Sequence, residues 1–183
     1  MYFKQTVGVL LTRKSGDTPR WVKWIHEPTG IIHCFECLQL NGCWFTWDNA
    51  PGWPHHEYCH CRLEAIDYSL VLMNAFAYSD YSKFDPYLFN TTDSYSHNKE
   101  KLFKEWGYTV ADAIWLQTEM ERQAREKYIA GEYELGKLDY SGQRISIRVT
   151  IPRRDTEGTV SFISGWMVKP NGEIRLTTPY GGK

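Results

Sequence analysis

The stretch Arg144-Ile145-Ser146-Ile147-Arg148-Val149-Thr150-Ile151 alternates without a break. Ile145, Ile147, Val149 and Ile151 fall on one side of an extended chain, and Arg144, Ser146, Arg148 and Thr150 fall on the other. Period-2 alternation of this kind marks a strand with one buried face. Downstream, Thr159 to Val168 reads as a second strand. Pro170-Asn171-Gly172 reads as a hairpin turn, and Glu173 to Thr178 as the return strand. Upstream, Ala113, Leu116, Met120, Ala124 and Tyr128 recur at helical spacing. Thr109 and Asp112 form a capping-box-like start to that helix, and Gly131 follows its end. A shorter helix fits Asn98 to Trp106, with Ser96 as cap and Gly107 as stop. Helices followed by hairpin-linked strands predict an α+β fold with the helices packed on an antiparallel four-stranded sheet.

The front of the chain is written differently. Val7, Val9 and Leu11 alternate weakly, and Arg20-Trp21-Val22-Lys23-Trp24-Ile25 alternates more clearly, so short strands are expected there. Residues 31–62 are rich in Cys, His and Trp, with turn signals at Asn41-Gly42 and Pro51-Gly52. Ala65 to Tyr78 reads as helical. From Ser79 to Tyr95 there is no period, only Ser, Asp, Tyr, Pro and Asn. The expected organisation is therefore a Cys/His-rich module over 1–78, a linker over 79–95 and an α+β domain over 96–183.

Four of the five cysteines fall into two clusters, Cys34-x-x-Cys37 and Cys59-His60-Cys61. Thiolates and imidazoles on two short knuckles are the donor set of a tetrahedral zinc site. Cys34 and Cys37 supply one knuckle. The other comes from His56, Cys59 and Cys61, with His55 and His60 as weaker alternatives. A structural Zn2+ is the expected cofactor. Cys43 stands apart and reads as a buried thiol. A catalytic zinc with Glu57 as its base is the competing reading, but a deaminase needs its H-x-E element ahead of a P-C-x-x-C element, and that order is missing.

Charge is uneven. Residues 1–93 hold 7 basic and 10 acidic groups, and residues 137–183 hold 8 and 4. A basic C-terminal end is compatible with a polyanion. No stretch approaches the ~20 apolar residues of a membrane span. The start lacks the pattern of a signal peptide, so a cytoplasmic protein with no membrane partner is expected. In that compartment cysteines at this spacing favour metal over disulfides.

Two resemblances add to this reading. Cys34-x-x-Cys37, Leu40-x-Gly42 and Pro54-x-His56-x-x-Cys59-x-Cys61 together resemble the Cys/His tail of phage Mu-type head morphogenesis (minor capsid) proteins. Lys99-x-x-Leu102-Phe103-x-x-Trp106-Gly107-Tyr108, then Ser164-Gly165-Trp166, then Arg175-Leu176-Thr177-Thr178-Pro179-Tyr180 resemble the small RNase toxin domains of the barnase/EndoU/colicin/RelE superfamily. Such domains occur in polymorphic and contact-dependent toxins. The resemblance implies RNA as substrate, cleavage without a metal and an immunity protein as partner. It matches Lys99 to the lysine that opens the family's helix motif, Trp166 to its strand tryptophan and Thr178 to the threonine of its last strand.

The chemistry can be stated independently. Cutting RNA through its own 2′-hydroxyl needs a base, an acid and cations or donors at the phosphate. His97, Lys99, Arg144, Trp166 and Thr178 are the candidate catalytic residues, with Arg148 and Tyr180 beside them. Trp166 is a candidate for stacking on a base. Each also has a simpler reading: His97 near a helix cap, Arg144 and Arg148 on a solvated strand face, Trp166 in the core and Thr178 as an ordinary strand residue. The rival function is a non-enzymatic phage or mobile-element assembly protein with structural zinc.

Overall fold

A computed structural model describes residues 18–27, 34–90 and 99–182. The expected alternation at Val7–Leu11, the cap Ser96 and the candidate His97 lie outside them.

The front of the chain builds a small sheet. Strand β1 (Trp21–Ile25) is followed by helix α1 (Phe35–Leu40), strand β2 (Trp44–Thr46) and strand β3 (Arg62–Ile66), with β1 paired antiparallel to both other strands. Trp21, Val22 and Trp24 are buried. Helix α2 (Tyr68–Asn74) starts at Asp67, whose carboxylate accepts from the Ser69 backbone N–H at 2.7 Å. The chain then turns into a three-residue strand, β4 (Phe76–Tyr78). The single helix expected over Ala65–Tyr78 is thus a strand end, a two-turn helix and a second strand. Asp67 sets the first break. The second follows Asn74, where Ala75 is extended and Phe76 begins to pair.

The C-terminal part matches its patterning closely. Helix α3 (Lys99–Glu105) ends at Gly107, which adopts a positive φ of 81°. A Cβ there would sit 2.6 Å from the Asp155 backbone nitrogen, so this position takes only glycine without a shift of the loop. Thr109 and Asp112 form the capping box in front of helix α4 (Ala113–Ala130). All five stripe residues of that helix, Ala113, Leu116, Met120, Ala124 and Tyr128, are fully buried. Each of the larger ones contributes about 1.5–3 kcal/mol of burial.

Strands β5 (Glu134–Asp139), β6 (Gly142–Pro152), β7 (Thr159–Val168) and β8 (Glu173–Gly182) form an antiparallel meander. Asn171 and Gly172 at the β7–β8 turn both have positive φ, as a two-residue hairpin requires. The sheet has five strands rather than the expected four, in the order β4-β8-β7-β6-β5. The extra strand is β4, which pairs parallel to β8 through Phe76↔Glu173, Ala77↔Ile174 and Tyr78↔Arg175. The mixed α+β class holds, with two sheets of three and five strands.

Residues 79–90 are built into the core. Phe84, Leu88 and Phe89 are buried, and Phe89 packs edge-on against Phe103. One continuous apolar cluster runs from Trp21 and Cys37 through Phe84 and Leu116 to Ile145 and Trp166. Polar ties cross the expected boundary as well. Tyr128 donates to the Trp44 carbonyl at 2.6 Å, and the Thr46 backbone N–H donates to the Tyr133 hydroxyl at 3.0 Å. Among the described residues no helix is long and apolar enough to cross a membrane.

Candidate functional site

Two sites emerge. The first is the Cys/His cluster between α1 and the loop ahead of β3. Cys37 Sγ lies 3.4 Å from His56 Nε2 and 3.7 Å from Cys59 Sγ. Four ligands at zinc-like bond lengths in a tetrahedron put two sulfurs about 3.8 Å apart and a sulfur and a nitrogen about 3.6 Å apart. The observed spacings fit. Two triads, Cys34/Cys37/His56 and Cys37/Cys59/Cys61, each hold their donor atoms within 4.8 Å of one another and share Cys37. These donors could hold a metal ion.

The surroundings orient the donors. His56 Nδ1 donates to the Glu57 carbonyl at 2.6 Å, which leaves Nε2 for a metal. Burial and the neighbouring thiols push Cys37 well above the ordinary thiol range. Burial also acts upward on Cys59, but backbone N–H groups of Cys61 and His55 outweigh it and hold that thiol low. His55 is engaged elsewhere, 2.6 Å from the Glu36 carboxylate. The sequence reading missed His26, whose Nδ1 lies 3.5 Å from Cys61 Sγ. Its only signal was its place at the end of the β1 pattern. His60 lines the same small cavity of about 30 Å³. Cys43 is fully buried away from the cluster and donates weakly to the Gln39 carbonyl.

The second site lies at the β8 edge past the end of β4, where residues 79–90 and the start of α3 meet the strand. Lys99 Nζ donates to Thr178 Oγ1 at 2.9 Å and to the Tyr87 hydroxyl at 3.0 Å. Thr178 Oγ1 donates in turn to the Tyr180 carbonyl at 2.9 Å. The ammonium of Lys83 stands 5.6 Å from the centre of the Tyr87 ring. The Lys99 hydrogen bond holds the Tyr87 phenol below its usual range despite partial burial, with Thr178 and Lys83 adding to the effect. Tyr87 is 37% exposed.

The other candidates are placed elsewhere. Trp166 is fully buried, and its indole N–H donates to Ser164 Oγ at 2.8 Å. It is a core residue, and no face is open for a base to stack on. Its neighbour Gly165 matters for the site: a Cβ there would lie 3.0 Å from both Thr177 Oγ1 and Thr178 Cγ2. The Ser-Gly-Trp motif therefore anchors the strand beside Thr178. Arg144 and Arg148 are exposed on β6, separated from β8 by β7, and Arg144 pairs with Asp139 at 3.2 Å. In register, Thr178 lies across β7 from Ser146, so both arginines are two strands away and offset by two residues along β6 from the Lys99–Thr178 contact. Tyr87 was invisible in the sequence because it sits in a stretch with no period.

A family model for a domain of unknown function, DUF6883, matches residues 74–183, more than half of the chain. The chain belongs to the DUF6883 family. The matched DUF6883 region begins at the last residue of α2, two residues ahead of β4, and takes in Tyr87, Lys99 and Thr178. No curated protein matches the chain, and no solved structure does.

Proposed function

We propose that the DUF6883 region of this chain is a metal-independent endoribonuclease of the toxin type, carried on a module stabilised by structural zinc. One observation carries the reading. Lys99 and Thr178 are 79 residues apart, are the two polar residues matched to the toxin domains' helix and last-strand motifs, and hydrogen-bond at 2.9 Å. Lys99 supplies a cation where charge builds on a phosphate, and Thr178 holds that ammonium in place by accepting its hydrogen bond. The exposed guanidinium group of Arg148, two strands away on β6, is a second cationic point for an RNA strand. Zinc held by four of Cys34, Cys37, His56, Cys59 and Cys61, with His26 close by, ties α1 to the loop ahead of β3 and takes no part in the cut. Toxin domains of this kind act on cytoplasmic RNA and are neutralised by an immunity protein, which is the partner expected here.

The test is direct. Zinc-loaded protein is incubated with total RNA in buffer without added divalent ions, and cleavage is expected. RNA that stays intact at every protein concentration overturns the reading.

The rival reading, a non-enzymatic phage assembly protein, is supported by the knuckle resemblance and by the exposed apolar residues Leu70, Leu72 and Met73 on α2. Expression in a bacterial host separates the two: arrested growth follows from the ribonuclease and not from the assembly protein.

A further inference from the structure

A ribonuclease site needs a proton acceptor, and among the described residues the side chain within hydrogen-bonding reach of Lys99 Nζ besides Thr178 is Tyr87. Resting on the ribonuclease reading, we infer that Tyr87 takes the proton from the 2′-hydroxyl and that Lys99 returns one to the leaving 5′-oxygen. Tyr87 belongs to the segment between β4 and α3, which the matched toxin motifs leave out.

The geometry supplies each part. Lys99 is fixed by two acceptors 2.9 and 3.0 Å away. Thr178 is itself fixed by its bond to the Tyr180 carbonyl, so it acts as a positioning residue for the ammonium. Among the described residues, the groups that act on the Tyr87 phenol are Lys99 from α3, Thr178 from β8 and Lys83 from the turn Tyr81–Lys83, and the two charged ones are both cations. A phenolate is stabilised by that arrangement. Lys99 lies close enough to hydrogen-bond the same oxygen that would accept the proton, which couples the two transfers.

The step balances. The Tyr87 phenolate oxygen accepts the 2′-proton while the 2′-oxygen attacks phosphorus. The bond from phosphorus to the 5′-oxygen breaks, and that oxygen leaves with a proton from the Lys99 ammonium. The products are a 2′,3′-cyclic phosphate and a free 5′-hydroxyl. The proton on Tyr87 then crosses to the Lys99 amine, which restores the starting pair. No water, metal or oxidant is consumed.

The experiment compares wild type with Tyr87→Phe on a labelled RNA oligonucleotide over pH 6 to 10, with product ends identified by mass. Phenylalanine keeps the ring, and a thermal melt of both proteins verifies the fold. We expect Tyr87→Phe to lose about 100-fold or more in rate, the scale of a general base, and the wild-type rate to rise with pH below the usual tyrosine range. An oligonucleotide with a 2′-deoxy sugar at the scissile position should stay whole. Equal cleavage by wild type and Tyr87→Phe, or an unchanged pH profile in the variant, overturns the role of Tyr87 and leaves the ribonuclease standing. A wild type that cuts nothing overturns the ribonuclease itself and this role with it. As a check that needs no turnover, the alkaline absorbance titration of wild type minus Tyr87→Phe should show one phenol ionising below the usual range, and Lys99→Met should move it upward. A phenol that titrates in the usual range also overturns the assignment.

Discussion

At the scale of single residues, Lys99, Thr178 and Trp166 separate two kinds of importance. All three are motif residues. The first two have polar atoms at a partly open edge, while Trp166 has its indole inside the core. On the proposed ribonuclease function, Lys99→Met and Thr178→Val should each cut activity strongly, Lys99→Met by about 100-fold, with little change in the melting curve. Trp166→Ala should do the reverse. A cavity of that size costs about 3–5 kcal/mol, read as a fall in denaturant midpoint, and any loss of activity follows from loss of fold. Lys99 and Thr178 were legible because short motifs carry them. Trp166 was legible as a motif residue, but whether it faced solvent or core depended on which side of β7 the helices cover. Tyr87 lies in a run without period, and the sequence carried no signal for it. Gly165 shows how a residue without a side chain enters the site: Gly165→Ala should push on Thr178 and lower activity more than stability.

At the scale of elements, long patterned segments were legible and short ones were not. Helix α4 and strands β6, β7 and β8 bury the residues their periodicity marks, because each has enough length for the pattern to repeat. β4 has three residues and β5 is almost wholly exposed, so neither shows alternation. Both exist because a neighbour offers a ladder of free backbone groups. Connections carry energy too. Gly107→Ala puts a Cβ against the backbone of Arg154 and Asp155 and should destabilise by about 3 kcal/mol, measured by urea unfolding. Thr109→Ala removes half of the capping box before α4 and should cost about 1 kcal/mol. A Gly107→Ala protein as stable as wild type would mean that the loop moves away freely.

At the scale of the whole molecule, the front module and the C-terminal sheet share one core, so they should unfold together. Metal binding at the Cys/His cluster would then be linked to folding of the whole chain. Metal analysis should find zinc bound, and its complete removal should lower the melting temperature of the entire chain as one transition. A C-terminal signal that melts unchanged after removal would show that the two parts are independent.

Alkali should act at the same junction. Burial raises the Cys43 thiol from 9.0 to about 12 and the Tyr133 phenol from 10.0 to about 12. Each group ionises first in the unfolded chain. Their contribution is therefore complete below about pH 9 and is lost as pH rises toward 12. Stability should fall above pH 9, and Cys43→Ala should move the onset toward pH 10, apart from its constant cavity cost. A flat profile from pH 9 to 11 would contradict the burial of both groups. The Cys/His cluster was legible from spacing alone. The shared core was not, because nothing in residues 79–90 announces that Phe84, Leu88 and Phe89 are buried.

The parallel pairing of β4 with β8 bears on how such proteins are reassembled in evolution. A gene fusion that exchanged only residues 96–183 would strip the last strand of its neighbour and discard Tyr87. A junction near Asn74, where the family match begins, keeps β4 beside β8 and Tyr87 beside Lys99 but still divides the core that Tyr128 shares with Trp21 and Trp44, so chimaeras spliced there should express better than those spliced at Ser96 and melt below the intact chain.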